Sequence, residues 1–173
     1  MNALEQSLEI SNDDGLATVS FFAIEKQFGH EIRIERDGKK IVLRTDDQIA
    51  ASWPPAPPLQ DIHFEERENG QLLFGVGMAG NTHYSLSIAA EKTTLKFEFA
   101  AFVKNEPGFV GTSYRMDQSV DCQLITGLLF PHKNSQPISA DQSSFEKNLI
   151  IEPIAHDDGS LPRTIQWGFD IRL

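Results

Sequence analysis

The chain has 173 residues, a formal net charge of −10 and a single cysteine, Cys122. This length predicts one domain, residues 1–173, with room for a hydrophobic core. The charge argues against nucleic acid and against an anionic membrane as partners, and one cysteine cannot form a disulfide within the chain. Because we find neither a signal-peptide pattern nor an apolar run of membrane-spanning length, we expect a cytoplasmic protein.

Residues 31–44 predict a β-hairpin. Asp37-Gly38 is typical of a two-residue type I′ turn. With this loop, Ile34 would lie opposite Ile41, and the charged side chains would share the other, solvated face. The first sheet of the protein is therefore expected to contain this hairpin.

Residues 45–60 interrupt the strand pattern. Residues 54–58 contain four prolines, which exclude helix or central strand and favour an extended polyproline II segment. Because the segment is short and flanked by Trp53 and Leu59, we interpret it as a stiff crossover between two sheets. A docking motif for an aromatic groove is the alternative interpretation.

Residues 61–103 predict four strands in an up-and-down meander, because apolar and polar residues alternate throughout. An even number of residues in the third turn would pair Ile88 with Leu95. The predicted buried face carries large apolar side chains. These are Ile62, Phe64, Leu72, Phe74, Val76, Met78, Tyr84, Leu86, Ile88, Leu95, Phe97, Phe99, Ala101 and Val103.

The first turn of the meander contains Asn69-Gly70. A slip of one residue in register would move every side chain to the wrong face of the sheet. A three-residue loop, 68–70, pairs Phe64 with Phe74, whereas a loop of Asn69 and Gly70 alone does not. We therefore predict the three-residue loop, with Gly70 as a left-handed bulge residue, and a turn type that differs from that of the first hairpin.

The opposite face of the meander is predicted to be smooth. It carries the small residues Gly75, Gly77, Ser85, Ser87, Ala89 and Ala100, and its rim carries Asp61, His63, Glu65, His83, Lys96 and Glu98. Glycine within a strand often marks the close approach of another group. Three groups are considered: another segment of this chain, a second subunit, or a ligand.

Residues 104–116 have no clean period and contain Tyr114 and Arg115, so we predict an irregular loop that can carry binding anchors. Residues 164–172 predict a closing strand. Residues 143–146 allow one helical turn through a capping box, and we predict no longer helix.

The residues with catalytic or metal-binding potential form no recognisable motif. The five histidines lack ligand spacing, and the Asp-Gly pairs are typical of tight turns. No nucleophile elbow is present, and Cys122 is interpreted as a core residue. We therefore predict neither a metal nor another cofactor.

These patterns predict an all-β antiparallel sandwich of two sheets and about ten strands, with a closed lipocalin-like barrel as the alternative. The leading functional hypothesis is a non-catalytic binding module for a carbohydrate, another small polar ligand or a protein partner. A sugar-directed epimerase, lyase or hydrolase that uses carboxylates of the meander is the second hypothesis, and a homodimer formed through the smooth face is the third. The candidate ligand-binding residues are Asp61, His63, Glu65, His83, Ser85, Glu98, Tyr114 and Arg115.

Overall fold

A computed structural model describes residues 8–46, 53–116, 124–125, 127–140, 147–154 and 159–173. Within these ranges the chain forms thirteen β-strands, and helical backbone is confined to Leu124 and Ile125. No helix among these residues is long and apolar enough to span a membrane. Cys122 and the predicted helical turn at 143–146 lie outside the described residues.

The strands form two antiparallel sheets, which confirms the predicted sandwich. The seven-stranded sheet contains, in spatial order, β1 (Glu9–Ser11), β2 (Ala17–Ile24), β3 (Gln27–Arg36), β4 (Lys39–Thr45), β9 (Thr112–Met116), β12 (Lys147–Pro153) and β11 (Ser135–Ala140). The six-stranded sheet contains β10 (Leu129–Pro131), β13 (Arg163–Arg172), β8 (Thr94–Val103), β7 (Thr82–Ala90), β6 (Gly70–Ala79) and β5 (Asp61–Arg67). Each sheet keeps two edge strands, so the closed-barrel alternative is wrong.

The proline segment is the crossover between the two sheets, as predicted. It follows β4 of the seven-stranded sheet and leads into β5 of the six-stranded sheet. The backbone N–H of Phe28 donates to the carbonyl of Leu59, and the N–H of Gln60 donates to the carbonyl of Val76, each at 2.7 Å. The end of the segment is therefore bonded to both sheets.

The first hairpin has the predicted register. Ile34 pairs with Ile41, and both loop residues have positive φ, 52° at Asp37 and 71° at Gly38. This geometry is that of a two-residue type I′ turn, in which both central residues are left-handed.

The first turn of the meander differs from its predicted register. Gly70 has the expected positive φ, 133°, but it pairs with Arg67, so that only Glu68 and Asn69 form the loop. Phe64 then lies opposite Leu73, and the predicted three-residue loop is wrong. Since Glu68 and Asn69 do not have positive φ, the two hairpins do use different turn types, as predicted.

The third turn of the meander has the predicted parity with a different register. Ala90 pairs with Leu95, and Ile88 pairs with Phe97. The predicted pairing of Ile88 with Leu95 is therefore displaced by two residues, which leaves every side chain on its predicted face.

Strand β6 has the opposite orientation from the one predicted. Leu73 and Gly75 face the core, while Phe74, Val76 and Met78 are 39%, 51% and 45% exposed. The crossover explains this inversion, because it needs space above the glycines. A Cβ at residue 75 would lie 3.0 Å from the Leu59 side chain, and a Cβ at residue 77 would collide with the carbonyl oxygen of Pro58. Thus another segment of the chain does cover the glycines, but on the inner face of the sheet.

The core between the sheets is aromatic and contains a few paired polar groups. The Phe97 and Phe169 rings stack with their centroids 4.6 Å apart. Across the core, the indole N–H of Trp167 donates to the Thr112 hydroxyl at 3.0 Å. This bond joins β13 to β9 and satisfies two buried polar groups.

His30 and Tyr114 form the second polar pair of the core. Both residues are buried, and the His30 Nε2 and Tyr114 Oη atoms share a hydrogen bond of 2.9 Å. Burial lowers the pKa of His30 to about 3, so the ring is neutral at pH 7.

Candidate functional site

The outer face of the six-stranded sheet brings together six of the eight predicted site residues. The register places them on β5, β7 and β8 with their side chains pointing away from the core. They are Asp61, His63, Glu65, His83, Ser85 and Glu98. The predicted shared face is therefore correct for this set.

One cross-strand row runs over the centre of this face. His63 of β5 lies opposite Phe74 of β6, which lies opposite Ser87 of β7; Glu98 of β8 and Gly168 of β13 complete the row. Neighbouring strands are about 4.8 Å apart. The surface of the sheet is recessed at the centre of the row, because Ser87 and Gly168, which flank Glu98, are small. The Phe74 side chain projects further from the sheet.

A groove of about 470 Å³ occupies this low region. Its floor is made by Ser85, Ser87 and Ala100, with the exposed side chains of Phe74 and Val76 on one side. The opposite side is polar. The side chains lining the whole groove are those of Phe74, Val76, Ser85, Ser87, Glu98, Ala100, His132, Asn134 and Gln166.

A second hollow of about 660 Å³ continues the groove along the strands. The two hollows share Val76, Ser85 and Ala100. Beyond these residues the second hollow is bordered by Met78 and by Phe102, whose ring centroid lies 6.5 Å from that of His83. The continuous groove is thus polar at the Glu98 end and largely apolar at the Phe102 end.

His132 is held firmly at the polar end of the groove. Its Nε2 atom lies 2.8 Å from Oδ1 of Asp170, and the guanidinium of Arg172 donates to Oδ2 of Asp170 at 2.9 Å. Burial acts to raise the pKa of Asp170, but the bonds from His132 and Arg172 outweigh it and leave the pKa below its ordinary value. Arg172 in turn lies over the Phe130 ring, 4.5 Å from its centroid.

Gly168 makes room for the His132 ring. A Cβ at residue 168 would lie 2.6 Å from Nδ1 of His132 and 2.9 Å from its Cε1. The backbone fixes the same contact, because the His132 N–H donates to the Gly168 carbonyl at 2.9 Å and the Gly168 N–H donates to the Ser135 hydroxyl at 2.8 Å. The ring therefore lies over the glycine, whose partner on the neighbouring strand is Glu98.

Charged groups on this face differ in whether they have partners. Glu65 bonds to Arg67 at 3.0 Å, which lowers the pKa of the Glu65 carboxyl. Within the ranges that the structure describes, Glu98 has neither a hydrogen-bond nor an ion-pair partner. Glu98 is consequently open to a ligand at the polar end of the groove.

Tyr114 and Arg115 lie on the other sheet, so the structure does not bring them together with the other six predicted site residues. Residues Thr112–Met116 form β9 of the seven-stranded sheet, where an irregular loop was predicted. Tyr114 is buried against His30, and burial raises its pKa well above the ordinary value. The apolar content of Tyr114 and Met116 was a signal for this buried strand, but it was obscured by the preceding proline and glycines.

Sequence reasoning missed much of the groove. Phe74 and Val76 were assigned to the core because their strand was read with the opposite face inward. His132 and Asp170 were not connected, since they are 38 residues apart and meet only through the pairing of β10 with β13. The groove thus depends on pairing between strands that are distant in sequence, and local sequence patterns do not predict such pairing.

In the described ranges, no group of three or more His, Cys, Asp or Glu side chains is arranged to hold a metal ion. Comparison of the chain with protein-family models, curated proteins and solved structures finds no match. The function must therefore be argued from the groove itself.

Proposed function

We propose that this protein is a non-catalytic binding module that takes a carbohydrate or a similar small polar ligand on the outer face of its six-stranded sheet. The observation that carries the proposal is the groove of about 470 Å³, with an aromatic wall and hydrogen-bonding groups on its other side. Ligand sites are typically concave and combine apolar surface with a few oriented polar groups.

The aromatic wall supports a sugar in particular. Phe74 is 39% exposed although it lies in the middle of β6, a strand that is paired on both sides. A pyranose ring has apolar C–H groups that can pack on such a side chain, while its hydroxyls reach Ser85, Ser87 and Glu98. The serine floor leaves space for a ring to lie flat on the strands.

The spacing of the carboxylates favours binding over a sugar hydrolase. Asp61 lies on β5 and Glu98 on β8, three strand spacings away, which amounts to about 14 Å between backbones. A carboxylate pair for glycoside hydrolysis needs about 5–10 Å between its carboxyl groups. Glu65, the remaining candidate, is engaged by Arg67.

A second candidate function is self-association through the same face. Val76, Met78 and Phe102 are 51%, 45% and 37% exposed, and all three line the apolar end of the groove. Exposed apolar patches often mark interfaces. Sedimentation velocity of the protein at increasing concentration tests this candidate, which predicts a dimer that Met78→Glu dissociates.

A cytoplasmic location stays a prediction from the sequence.

Titration with a panel of methyl glycosides, followed by amide NMR shifts and by the melting temperature, tests the binding proposal. We expect at least one glycoside to shift the resonances of Ser85, Ser87 and Glu98. Phe74→Ser should weaken that glycoside about tenfold, by loss of an aromatic contact. Leu16→Ser is the matched control, because Leu16 is 41% exposed on the other sheet's side of the molecule, before β2.

Two results would contradict the proposal. One is a panel in which no glycoside shifts the groove resonances. The other is a glycoside whose affinity falls equally in the Phe74→Ser and Leu16→Ser variants, since binding would then occur elsewhere.

A further inference from the structure

We infer that the polar end of the groove selects a sugar by its hydrogen-bond donors, and that it binds neutral or amino sugars and rejects anionic ones. The inference rests on the proposed function and names the ligand class. Two hydrogen-bond acceptors at this end of the groove, the Glu98 carboxylate and Nδ1 of His132, would accept these hydrogen bonds.

Asp170 determines which nitrogen of His132 is an acceptor. A carboxylate can only accept, so the 2.8 Å contact between Nε2 and Asp170 places the proton of the neutral ring on Nε2. The second Asp170 oxygen accepts from Arg172 at 2.9 Å, which keeps the carboxylate ionised. With its proton on Nε2, the neutral imidazole offers an unprotonated Nδ1.

Nδ1 lies over Gly168. It is the His132 atom nearest to the position that a Cβ of residue 168 would occupy, and Gly168 pairs with Glu98 on the neighbouring strand. Nδ1 thus lies over the residue that is paired with Glu98, and the two strands are about 4.8 Å apart. Neighbouring hydroxyls of one sugar ring can reach both acceptors.

Asn134 is bonded to the protein at both of its amide atoms. Its amide nitrogen donates to the Gln166 carbonyl at 2.8 Å, and its oxygen accepts from the Ser135 hydroxyl at 3.3 Å. One N–H group and one oxygen lone pair are therefore used by the protein, and one of each remains for a ligand, so the preference for a donating sugar rests on Glu98 and His132.

Cations are missing from the lining. Neither hollow is lined by a Lys or Arg among the residues that the structure describes. Two cations of β8 and β13 have carboxylate partners of their own: Lys96 bonds to Glu91 at 2.8 Å, and Arg172 bonds to Asp170. A carboxylate or phosphate on the ligand would face Glu98 with no Lys or Arg in the lining itself, which disfavours its binding.

The tautomer of His132 can be measured in the free protein. Two-bond ¹H–¹⁵N spectra, recorded at a pH where the ring is neutral, should show His132 protonated on Nε2. Asp170→Asn should produce a mixture of tautomers, because the amide can donate as well as accept. A ring protonated on Nδ1 in the unmodified protein would overturn the inference, whatever the ligand.

The closing experiment compares three forms of one sugar: the methyl glycoside that binds best, its amino counterpart and its uronic acid counterpart. We expect the amino sugar to bind as tightly as the neutral one or up to about fivefold more tightly, as for an exposed ion pair. The uronate should bind about tenfold more weakly or not at all. In Glu98→Gln the preference for the amino sugar over the neutral sugar should disappear.

The outcomes separate the two proposals. If a neutral sugar binds in a Phe74-dependent manner and the uronate binds with equal or higher affinity, this inference is overturned. The proposal of a binding module then remains intact. An amino-sugar preference that survives Glu98→Gln also overturns it. If no glycoside binds, the proposed function is wrong and the inference falls with it.

Discussion

The two faces of the six-stranded sheet differ most sharply along β6. On the inner face, Gly75 and Gly77 carry no side chain, and the end of the proline crossover packs against them. On the outer face, Phe74 and Val76 are more than one-third exposed. A crossing backbone needs close approach, so glycine faces inward there and the bulky residues of the same strand form the wall of a groove. In β6 the larger apolar side chains face outward, against the usual rule, because the proline crossover covers the inner face.

Two histidines show a similar contrast between the core and the groove. The His30 ring, in the core, has the Tyr114 hydroxyl as its polar partner and is surrounded by aromatic rings, so burial lowers its pKa. His132, at the groove, has the carboxylate of Asp170 as its partner and is partly open to solvent. The same side chain thus serves packing in the core and, in our proposal, recognition at the groove.

The largest effect on the free energy of unfolding is expected from a comparison of two adjacent residues, Gly77 on the inner face and Val76 on the outer face. Gly77→Ala should lower the free energy of unfolding by about 2–3 kcal/mol, because its Cβ would collide with the Pro58 carbonyl oxygen. Without that collision, alanine would stabilise the strand by roughly 0.5–1 kcal/mol. Val76→Ala, on the outer face, should cost less than about 1 kcal/mol. Urea unfolding of the two variants measures both values, and a stabilised Gly77→Ala protein would show that the inner face is not covered as described.

Acid sensitivity is the next largest effect and belongs to the core between the two sheets. The folded-state pKa of His30, about 3, lies below its ordinary value of 6.5, so the unfolded state binds the extra proton first. This contribution to stability is present above pH 6.5 and is lost as the pH falls toward 3. Between pH 7 and pH 5 we expect a loss of about 2 kcal/mol from this group.

Urea unfolding at several pH values measures this loss. In His30→Gln, which does not titrate, the decrease over the same range should be smaller by that amount. Equal pH profiles for the two proteins would mean that His30 is protonated in the folded state, and the contrast with His132 would disappear.

A third comparison uses the buried tyrosines. The hydroxyl of Tyr114 has His30 as its partner, whereas the buried hydroxyl of Tyr84 has no partner among the described residues. Tyr114→Phe should therefore lower the free energy of unfolding by about 1–2 kcal/mol, since it leaves the His30 nitrogen unpaired. Tyr84→Phe should be neutral or stabilising, because an unsatisfied buried group is removed. Thermal unfolding at pH 7 distinguishes the two, and equal losses would contradict the assignment of partners.

Much of the architecture could be predicted because period-2 alternation and turn residues are local signals. The first hairpin, the proline crossover and the buried faces of β7 and β8 follow from such patterns. Alternation does not say which face of a strand points inward when both carry apolar or small residues. In β6 that choice depends on Pro58 and Leu59, and the position of these residues is a tertiary property.

The candidate site was predictable only in part for the same reason. Residues of one meander share a face by strand parity, which is why Asp61, Ser85 and Glu98 were grouped correctly. Parity cannot bring in His132 or Asp170, because β10 and β13 join this sheet through contacts distant in sequence. The irregular composition before Thr112 concealed β9, and Tyr114 was taken for a surface residue.

The smallest effect on stability is expected at Ser85, which we predicted would be covered. The structure places Ser85 on the floor of the groove, on the face opposite to Gly75 and Gly77. Ser85→Trp should change the free energy of unfolding by less than about 1 kcal/mol, because no segment of the described chain has to move. The indole would fill the groove next to Val76 and Ala100, so glycoside binding should be lost. Ala89→Trp is the matched control, since Ala89 lies on the same strand and the same face but outside both hollows. Calorimetric titration of the two variants decides the matter: if Ser85→Trp keeps full affinity, or if both variants lose it equally, the ligand does not occupy this groove.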